Sequence, residues 1–269
     1  MNTLENNYSI TDEYHKMLEN QDNFIGQEVI LMTCPKCGGT LLKKLSDGTE
    51  VALECECMAK NRVNKKIKKF QHLSISDRNS GQDTFKHAVF SCVEEEKLFK
   101  QMKKYVLGFK LAMQENAGLL FIGKPGTGKT FTANCIVNYL KANGYTVLSF
   151  SLAGYFRKIR DSYSSKEGNV ETDLLKAVKE ADLLFLDDLG SEIISEGWGK
   201  EKLFSLIDER YRANKPIIVT TNLDMTELEE LLKFNNVDKI TDRLCEMTTV
   251  VPFTWNSKRK KMKKYFWEE

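Results

Sequence analysis

The residues best suited to chemistry lie in one short run, 123–130, which reads Gly-Lys-Pro-Gly-Thr-Gly-Lys-Thr. Two glycines separated by four residues and followed by Lys and Thr are typical of a phosphate-binding loop. Such a loop turns its backbone N–H groups inward, and the N-terminus of the next helix adds positive potential, so a polyphosphate is held there. The pattern predicts a nucleotide site formed by Gly123, Pro125, Gly126, Thr127, Gly128, Lys129, Thr130 and Phe131.

Four side chains have specific predicted tasks in this chemistry. Lys129 is expected to reach the β- and γ-phosphates, and the Thr130 hydroxyl to hold Mg²⁺. Two adjacent carboxylates, Asp187 and Asp188, follow the apolar run 183–186. We expect Asp187 to bind Mg²⁺ directly or through water, and Asp188 to orient or deprotonate the attacking water. These residues together predict a nucleotide-binding protein in which water attacks the bound phosphates and Mg²⁺ is a cofactor.

An alternation of apolar runs and helical patterns surrounds these groups and must position them. Five runs are predicted strands: residues 119–122, 146–150, 183–188, 216–222 and 248–253. Continuous apolar strands between helices predict a parallel sheet that is covered on both faces. The predicted fold class is therefore α/β, a three-layer domain with a five-stranded parallel sheet. Asn222, which ends the fourth run, could place an amide near the γ-phosphate or could serve as a turn residue.

Two cysteine pairs near the N-terminus predict a metal site. Cys34 and Cys37 precede a predicted turn at 46–48, and Cys55 and Cys57 follow it. Cysteine pairs on either side of a hairpin are how small tetrahedral Zn²⁺ sites are built, although the second pair has one intervening residue where two are usual. The alternative is four unligated thiols, but so small a segment has little core of its own.

Composition and charge limit the function classes. The chain has 269 residues, of which 41% are hydrophobic and 29% charged, and its net charge is +2. No apolar run approaches about 20 residues, and the first residues do not resemble a signal peptide, which predicts a cytosolic protein that does not contact a membrane. Two runs, 60–69 and 258–264, each hold six basic residues and no acidic one. They could be solvated faces or contacts for nucleic-acid phosphates.

These features divide the chain into three predicted parts. Residues 1–60 form an N-terminal module with the predicted zinc site, and a weak amphipathic pattern around Tyr14 precedes the cysteines. Residues 61–83 form a basic linker, and residues 84–269 form the nucleotide-binding domain with a basic tail.

The order of the motifs resembles that of the AAA+ ATPases that load bacterial replicative helicases, the DnaC/DnaI type, which are similar to the IstB transposition ATPases. The likeness covers roughly residues 84–254, and the cysteine cluster followed by a basic linker is similar to the DnaI-like branch and its phage relatives. The matching segments after the phosphate loop are Leu-Phe-Leu-Asp-Asp-Leu-Gly at 184–190, Ile-Asp-Glu-Arg-Tyr-Arg at 207–212, Ile-Val-Thr-Thr-Asn at 218–222 and Ile-Thr-Asp-Arg-Leu at 240–244.

The resemblance implies an ATP-dependent loader that delivers a hexameric replicative DNA helicase onto single-stranded DNA when replication begins. The N-terminal module would bind the helicase, and ATP binding and hydrolysis would switch assembly and release. Asn222 would sense the γ-phosphate, and Arg243 would be an arginine finger that reaches the nucleotide of a neighbouring subunit, with Arg210 assisting. The resemblance also implies self-association through the ATP site, a bacterial cytoplasmic protein encoded by the host or a phage, and no C-terminal lid domain.

The resemblance further places single-stranded DNA on the segment 151–165. Aromatic side chains that stack on bases, interleaved with cations for phosphates, suit this task, whereas Phe156 is expected to lie in the core. The predicted DNA-binding residues are Tyr155, Arg157, Lys158, Arg160 and Tyr163.

Three other functions are compatible with parts of the sequence. One is a transposase helper ATPase of the IstB type, for which the cysteine module and linker have no obvious purpose. Another is a small-molecule P-loop kinase, which would need an acceptor pocket and usually an Arg-rich lid. The last is a zinc-bearing adaptor whose nucleotide site only stabilises the fold. ATP turnover with and without single-stranded DNA distinguishes these functions.

Overall fold

The computed structural model describes residues 28–75, 80–164, 170–235 and 237–258. The predicted amphipathic pattern around Tyr14 and most of the basic run 258–264 lie outside these ranges. The chain divides into two compact units between Val63 and Asn64. Among the described residues, the helices are too short or too polar to span a membrane.

The first unit contains a small antiparallel sheet. Its strands are β1 (Val29–Thr33), β2 (Thr40–Lys44) and β3 (Glu50–Ala52), hydrogen-bonded in that order. The turn between β2 and β3 lies where the sequence predicts it, because Gly48 adopts a φ of +87° and the Asp47 carboxylate accepts a 2.8 Å hydrogen bond from the backbone N–H of Thr49. The two cysteine pairs thus flank a hairpin, as predicted.

The predicted basic linker begins as a helix. Helix α1 spans Glu56–Leu73 and therefore includes the first part of the segment 61–83. Phe70 is 1% exposed and packs in the core of the second unit, and Ile75 pairs with Phe150 at the edge of the main sheet. The many lysines led to the prediction of a linker, although apolar side chains recur among them at the spacing of a helix.

The second unit contains, within the described residues, the predicted five-stranded parallel sheet. Its strands are β4 (Gly118–Gly123), β5 (Val147–Ser151), β6 (Leu183–Leu189), β7 (Ile217–Thr221) and β8 (Thr248–Phe253). Their spatial order is β5-β6-β7-β4-β8, and every neighbouring pair is parallel. The carboxyl ends of β4, β6 and β7 therefore meet at one edge, where ligands bind in open α/β sheets.

Helices cover both faces of this sheet, which gives the three predicted layers. They are α2 (Val93–Leu107), α3 (Phe109–Gln114), α4 (Lys129–Ala142), α5 (Leu152–Ser164), α6 (Val170–Glu180), α7 (Trp198–Arg212), α8 (Met225–Leu232) and α9 (Lys239–Met247). Along β4, Leu119 and Phe121 face the core beneath α2–α4, whereas Leu120 faces the core beneath α5–α9. The alternation is the period-two pattern of a strand buried on both sides.

Candidate functional site

The phosphate-binding loop connects β4 to α4, and two of its glycines are required by the backbone. Gly123 has a φ of +146°, and a Cβ there would lie 2.4 Å from the carbonyl oxygen of Phe253 in β8. Gly128, the N-cap of α4, has a φ of +97°, in the left-handed region that favours glycine. The predicted motif thus has the strand, turn and helix N-terminus that phosphate binding requires.

The other predicted residues of the loop differ in exposure. Pro125 is exposed, Gly126 is half-buried, and Thr127 is buried with its hydroxyl donating a 2.9 Å hydrogen bond to the carbonyl of Lys124. Phe131, in the first turn of α4, stacks its ring on Phe99 with the centroids 6.2 Å apart.

Lys129 connects the phosphate-binding loop to β7. Its ammonium group donates to the carbonyl oxygens of Gly123 (2.6 Å) and Lys124 (3.0 Å) and to Oδ1 of Asn222 (2.8 Å). The side chain is 6% exposed, so its charge lies in a site largely shielded from water. The structure therefore brings together the predicted phosphate lysine and the predicted γ-phosphate sensor.

Asp187 lies beside Thr130. One of its carboxylate oxygens accepts hydrogen bonds from the hydroxyls of Thr130 (3.0 Å) and Thr220 (2.6 Å). Adjacent hydroxyl and carboxylate oxygens are the ligands that Mg²⁺ prefers, so the two residues predicted to hold the ion fit it. Thr220 was missed at the sequence level, where it reads simply as a β-branched residue in a buried strand.

Asp188 has an unusual backbone conformation, with a φ of +58°, and the pairing of β6 with β7 shifts register between Leu186 and Leu189. Its N–H donates to the Thr220 hydroxyl (2.8 Å), and its carboxylate accepts from the Asn222 amide (2.8 Å). Strained backbone of this kind, which costs about 1–3 kcal/mol, is concentrated at functional sites. Asn222 thus bridges the phosphate lysine and the predicted catalytic carboxylate.

A third carboxyl group, Glu192, follows β6 in the next loop. Burial raises the pKa of Glu192 above its ordinary value, and the charge of Asp188 raises the pKa further. The sequence reasoning did not single out this residue.

Arg243, the predicted arginine finger, lies on α9 and packs against α7 of its own chain. Its guanidinium forms a 2.8 Å ion pair with Asp208 and lies 4.6 Å from the centroid of the Phe204 ring. The side chain is 24% exposed. Its role at a neighbouring nucleotide remains a prediction.

Arg210 does not lie at the surface, which corrects the prediction that it assists the arginine finger. It is 0% exposed, and its guanidinium donates to four backbone carbonyls, those of Val178, Ala181, Asp182 and Pro216. Burial lowers the pKa of Arg210 to about 9, and the Asp182 carboxylate opposes this shift. Arg210 therefore joins the end of α6 to the start of β7 inside the domain.

Replacing Arg210 with Met should lower the free energy of unfolding by about 3 kcal/mol or more, because four buried carbonyls lose a charged donor. Urea unfolding measures this change. Arg212→Met is the matched control, since the Arg212 side chain is 71% exposed, and it should change the free energy of unfolding by less than about 0.5 kcal/mol. Equal stabilities of the two variants would contradict the structural role of Arg210.

The predicted DNA-binding residues of α5 divide between two faces of the helix. Tyr155 is 0% exposed and stacks on Phe150 with the ring centroids 5.3 Å apart, so it is a core residue, which corrects its assignment to DNA. Phe156 and Ile159 lie on the same buried face of α5, and the burial of Phe156 was predicted. The last residue of the predicted segment, 165, lies outside the described residues.

The opposite face of α5 presents the remaining candidates. Arg157, Arg160 and Tyr163 are exposed and Lys158 is half-buried. Trp198, which the sequence reasoning missed, lies among them: the Arg160 guanidinium is 4.7 Å from its ring centroid, and its indole N–H donates to the Tyr163 hydroxyl at 3.2 Å.

The four N-terminal cysteines converge, so the unusual spacing of the second pair does not prevent a common site. The sulfur atoms of Cys34, Cys37, Cys55 and Cys57 all lie within 4.8 Å of one another. Four thiolates about 2.3 Å from one Zn²⁺ lie about 3.8 Å apart, so the arrangement fits the ion. Hydrogen bonds from nearby backbone N–H groups and from Cys57 lower the pKa of Cys34 to about 6, whereas hydrogen bonds to the other thiols raise the pKa of Cys57 to about 12.

The chain is similar to known proteins both in sequence and in fold. The profile of the IstB-like ATP binding protein family matches residues 84–265. The replicative helicase loader DnaC of Buchnera aphidicola subsp. Baizongia pistaciae is 32% identical over 60% of this chain and 62% of its own length. A crystal structure of DnaI matches with a TM-score of 0.58 at 21% identity, covering 71% of this chain and all of that one. A crystal structure of the DnaC helicase loader matches with a TM-score of 0.56 at 23% identity, covering 65% of this chain and 99% of that one.

Proposed function

Because this chain belongs to the family of IstB-like ATP-binding proteins, we propose that it is an ATPase that loads a replicative helicase onto single-stranded DNA. One observation carries the proposal: Asn222 hydrogen-bonds to both Lys129 and Asp188, so one amide links the predicted phosphate lysine to the predicted catalytic carboxylate. The relative named replicative helicase loader DnaC supports the assignment, although this chain spans only about 62% of its length. We place the protein in the bacterial cytoplasm, encoded by the host or by a phage.

In the proposed reaction, the phosphate loop binds the triphosphate and Lys129 neutralises the β- and γ-phosphates. Thr130 and Asp187 would hold Mg²⁺, which would neutralise charge on the phosphate oxygens. Water attacks the γ-phosphorus while the bond from that phosphorus to the bridging oxygen of the β-phosphate breaks, Asp188 accepts a proton from this water, and ADP and phosphate are released. Asn222 orients Asp188 through its amide N–H and reads the γ-phosphate, so that cleavage of this phosphate alters the end of β7.

The proposed switch also requires a neighbouring subunit. Arg243 would leave Asp208 and reach the nucleotide of the adjacent protomer, where a cation stabilises charge that develops on the transferring phosphoryl group. Self-association through the ATP site would make each protomer's hydrolysis depend on its neighbour.

The cysteine cluster supports a separate helicase-binding module, for which residues 1–60 are our candidate. Cys34, Cys37, Cys55 and Cys57 would bind one Zn²⁺ and fix the hairpin between them. Removal of residues 1–60 should abolish co-purification with a hexameric replicative helicase but leave ATP binding unchanged. Retention of the helicase by the truncated chain would contradict this assignment.

Single-stranded DNA should stimulate ATP turnover, and the double variant Arg157→Ala/Arg160→Ala should lose this stimulation. Its DNA affinity should fall at least tenfold, and the slope of log K against log salt should become shallower by about 1.4, since each phosphate contact contributes about 0.7. A fluorescence titration at several salt concentrations measures both quantities.

Tyr155→Phe is the matched control for this variant, because it removes a hydroxyl from the buried face of α5. It should bind DNA like the parent. Unchanged DNA affinity in the double arginine variant would refute the proposed DNA surface, and turnover that requires a small acceptor molecule instead of DNA would identify a kinase.

A transposase helper is the second candidate, because the matching family profile is IstB-like. It shares the ATPase site and the DNA surface, so DNA stimulation of turnover does not exclude it. Co-purification with a replicative helicase separates the two functions.

A further inference from the structure

The segment that follows β8 crosses the phosphate-binding loop. We call residues 254–258 the C-terminal strap. The indole N–H of Trp255 donates a 2.7 Å hydrogen bond to the carbonyl oxygen of Thr127, and the backbone N–H of Lys258 donates a 2.8 Å hydrogen bond to the carbonyl oxygen of Gly126. Two consecutive carbonyls of the nucleotide motif are therefore bonded to the strap.

These two bonds determine where the neighbouring N–H groups point. A trans peptide is planar, so the C=O of one residue and the N–H of the next point in opposite directions. With the carbonyl of Gly126 directed to the strap, the N–H of Thr127 points away from it, and the carbonyl of Thr127 imposes the same direction on the N–H of Gly128. The next peptide group, between Gly128 and Lys129, is also fixed, because the carbonyl of Gly128 accepts a 2.9 Å hydrogen bond from the N–H of Thr132 within α4.

The strap is itself anchored at both ends. The ring of Trp255 packs on Phe253 with the centroids 5.0 Å apart, and Phe253 is buried. The ammonium group of Lys258 forms an ion pair with Glu95, which is 6% exposed, and donates to the carbonyl of Val89. Because the donors are fixed by the core and by a buried carboxylate, the carbonyls they bind are held in one direction.

We propose that Trp255, with the backbone of Lys258, is a positioning residue for the nucleotide: it holds the peptide units of the phosphate-binding loop so that their N–H groups converge on the phosphates. Flexible glycines at 126 and 128 allow this loop many other conformations, and the strap selects the binding one before the nucleotide arrives. Pre-organised donors bind more tightly because less ordering remains to be done on binding. The inference rests on the proposed nucleotide site and goes beyond it by naming what holds the site in shape.

Trp255→Phe tests this role, since it keeps a ring against Phe253 and removes the donor. Calorimetric titration should give affinities for ADP and ATP about 3- to 10-fold weaker than those of the parent, the range expected for the loss of one hydrogen bond. Tyr105→Phe is the matched control, because it also removes one side-chain donor to a backbone carbonyl, that of Ala117. It should bind both nucleotides like the parent.

A merely structural role for Trp255 would give a different result. It would lower the unfolding temperature of the nucleotide-free protein and leave the nucleotide affinity of the folded fraction unchanged, and that result would overturn the inference. Lys258→Pro provides a second test if Trp255→Phe does not fold, because proline lacks the N–H that binds Gly126. Lys258→Ala is its control, since it keeps this N–H and, like the proline variant, lacks the ammonium group. Lys258→Pro should bind ADP 3- to 10-fold more weakly than Lys258→Ala, and equal affinities of the two variants would likewise overturn the inference.

Failure of the proposed function would look different again. If the parent bound ADP no better than Lys129→Ala, both the nucleotide site and the strap's role would be wrong. If the parent bound ADP in a Lys129-dependent manner and Trp255→Phe matched it, only the role of the strap would be wrong.

Discussion

Asp188→Asn should reduce ATP turnover by about 10²- to 10⁴-fold, the usual contribution of a general base, and leave ATP affinity within about threefold of the parent. Asparagine suits the site because it tolerates the left-handed backbone that Asp188 adopts at a φ of +58°. Its side-chain oxygen can also still accept the hydrogen bond from the Asn222 amide. The variant therefore removes the proton acceptor with little change of structure. Steady-state phosphate release measures turnover, and equilibrium titration measures affinity.

Asp173→Asn is the control, because Asp173 is an exposed carboxylate in the first turn of α6, and the turnover of this variant should equal that of the parent.

Arg243→Ala should lose ATP turnover if Arg243 acts on the nucleotide of a neighbouring subunit. A mixture of Asp188→Asn and Arg243→Ala chains should then recover activity, since an intact Asp188 on one chain meets an intact Arg243 on the next. Parental turnover in Asp188→Asn would refute the proposed base, and an inactive mixture would refute an arginine supplied in trans.

The features that depend on local spacing were predicted correctly from the sequence. The phosphate-binding loop requires its glycines and its helix start within eight residues, so the pattern 123–130 contains what determines its shape. The five buried strands of the described unit are likewise visible as continuous apolar runs, and β8 has the predicted bounds. Lys129, Asp187 and Asn222 lie close together, as expected, because each ends or follows a strand and the carboxyl ends of neighbouring parallel strands share an edge of the sheet.

Features that depend on register or on distant carbonyls could not be predicted in this way. Thr220 contacts Asp187 because the register that pairs Leu186 with Val219 places these two residues side by side, and the sequence of neither strand sets the register between them. Arg210 resembles a surface arginine in sequence, and its burial depends on carbonyls at the end of α6 and the start of β7.

Tyr155 is a different case, because the sequence carried the relevant signal. Leu152, Tyr155, Phe156 and Ile159 recur at the spacing of one helical face, and this spacing predicts burial more strongly than the aromatic ring predicts base stacking. The predicted contact of Tyr155 with DNA relied on residue type, whereas the helical periodicity of the apolar residues places Tyr155 in the core. The exposed arginines of α5 remain on the other face, so the correction narrows the proposed DNA surface without removing it.

The cysteine cluster lies where a hydrophobic core would be in the first unit, so we expect a large effect if a metal bound there is removed. Between residues 28 and 63, the buried residues are Cys34 and Cys55, while the apolar side chains of the hairpin are exposed or half-buried. A unit without an apolar core does not offset the entropy of ordering its chain, so we expect its folding to draw on the free energy of metal binding. For structural zinc in small peptides this free energy is about 10–16 kcal/mol at pH 7.

Cys55→Ser should therefore lose the zinc and unfold the hairpin, while the nucleotide domain remains folded and binds ATP. Elemental analysis should find one zinc per chain in the parent and about none in the variant, and hydrogen exchange should lose protection in β1, β2 and β3. Cys245→Ser is the control, because Cys245 is an exposed cysteine on α9, and it should keep the metal. Absence of zinc from the parent would show that the cysteines are unligated thiols, and full protection of the hairpin in metal-free Cys55→Ser would show that the module is stabilised in another way. Loss of ATP binding together with the zinc would show instead that the two units fold as one.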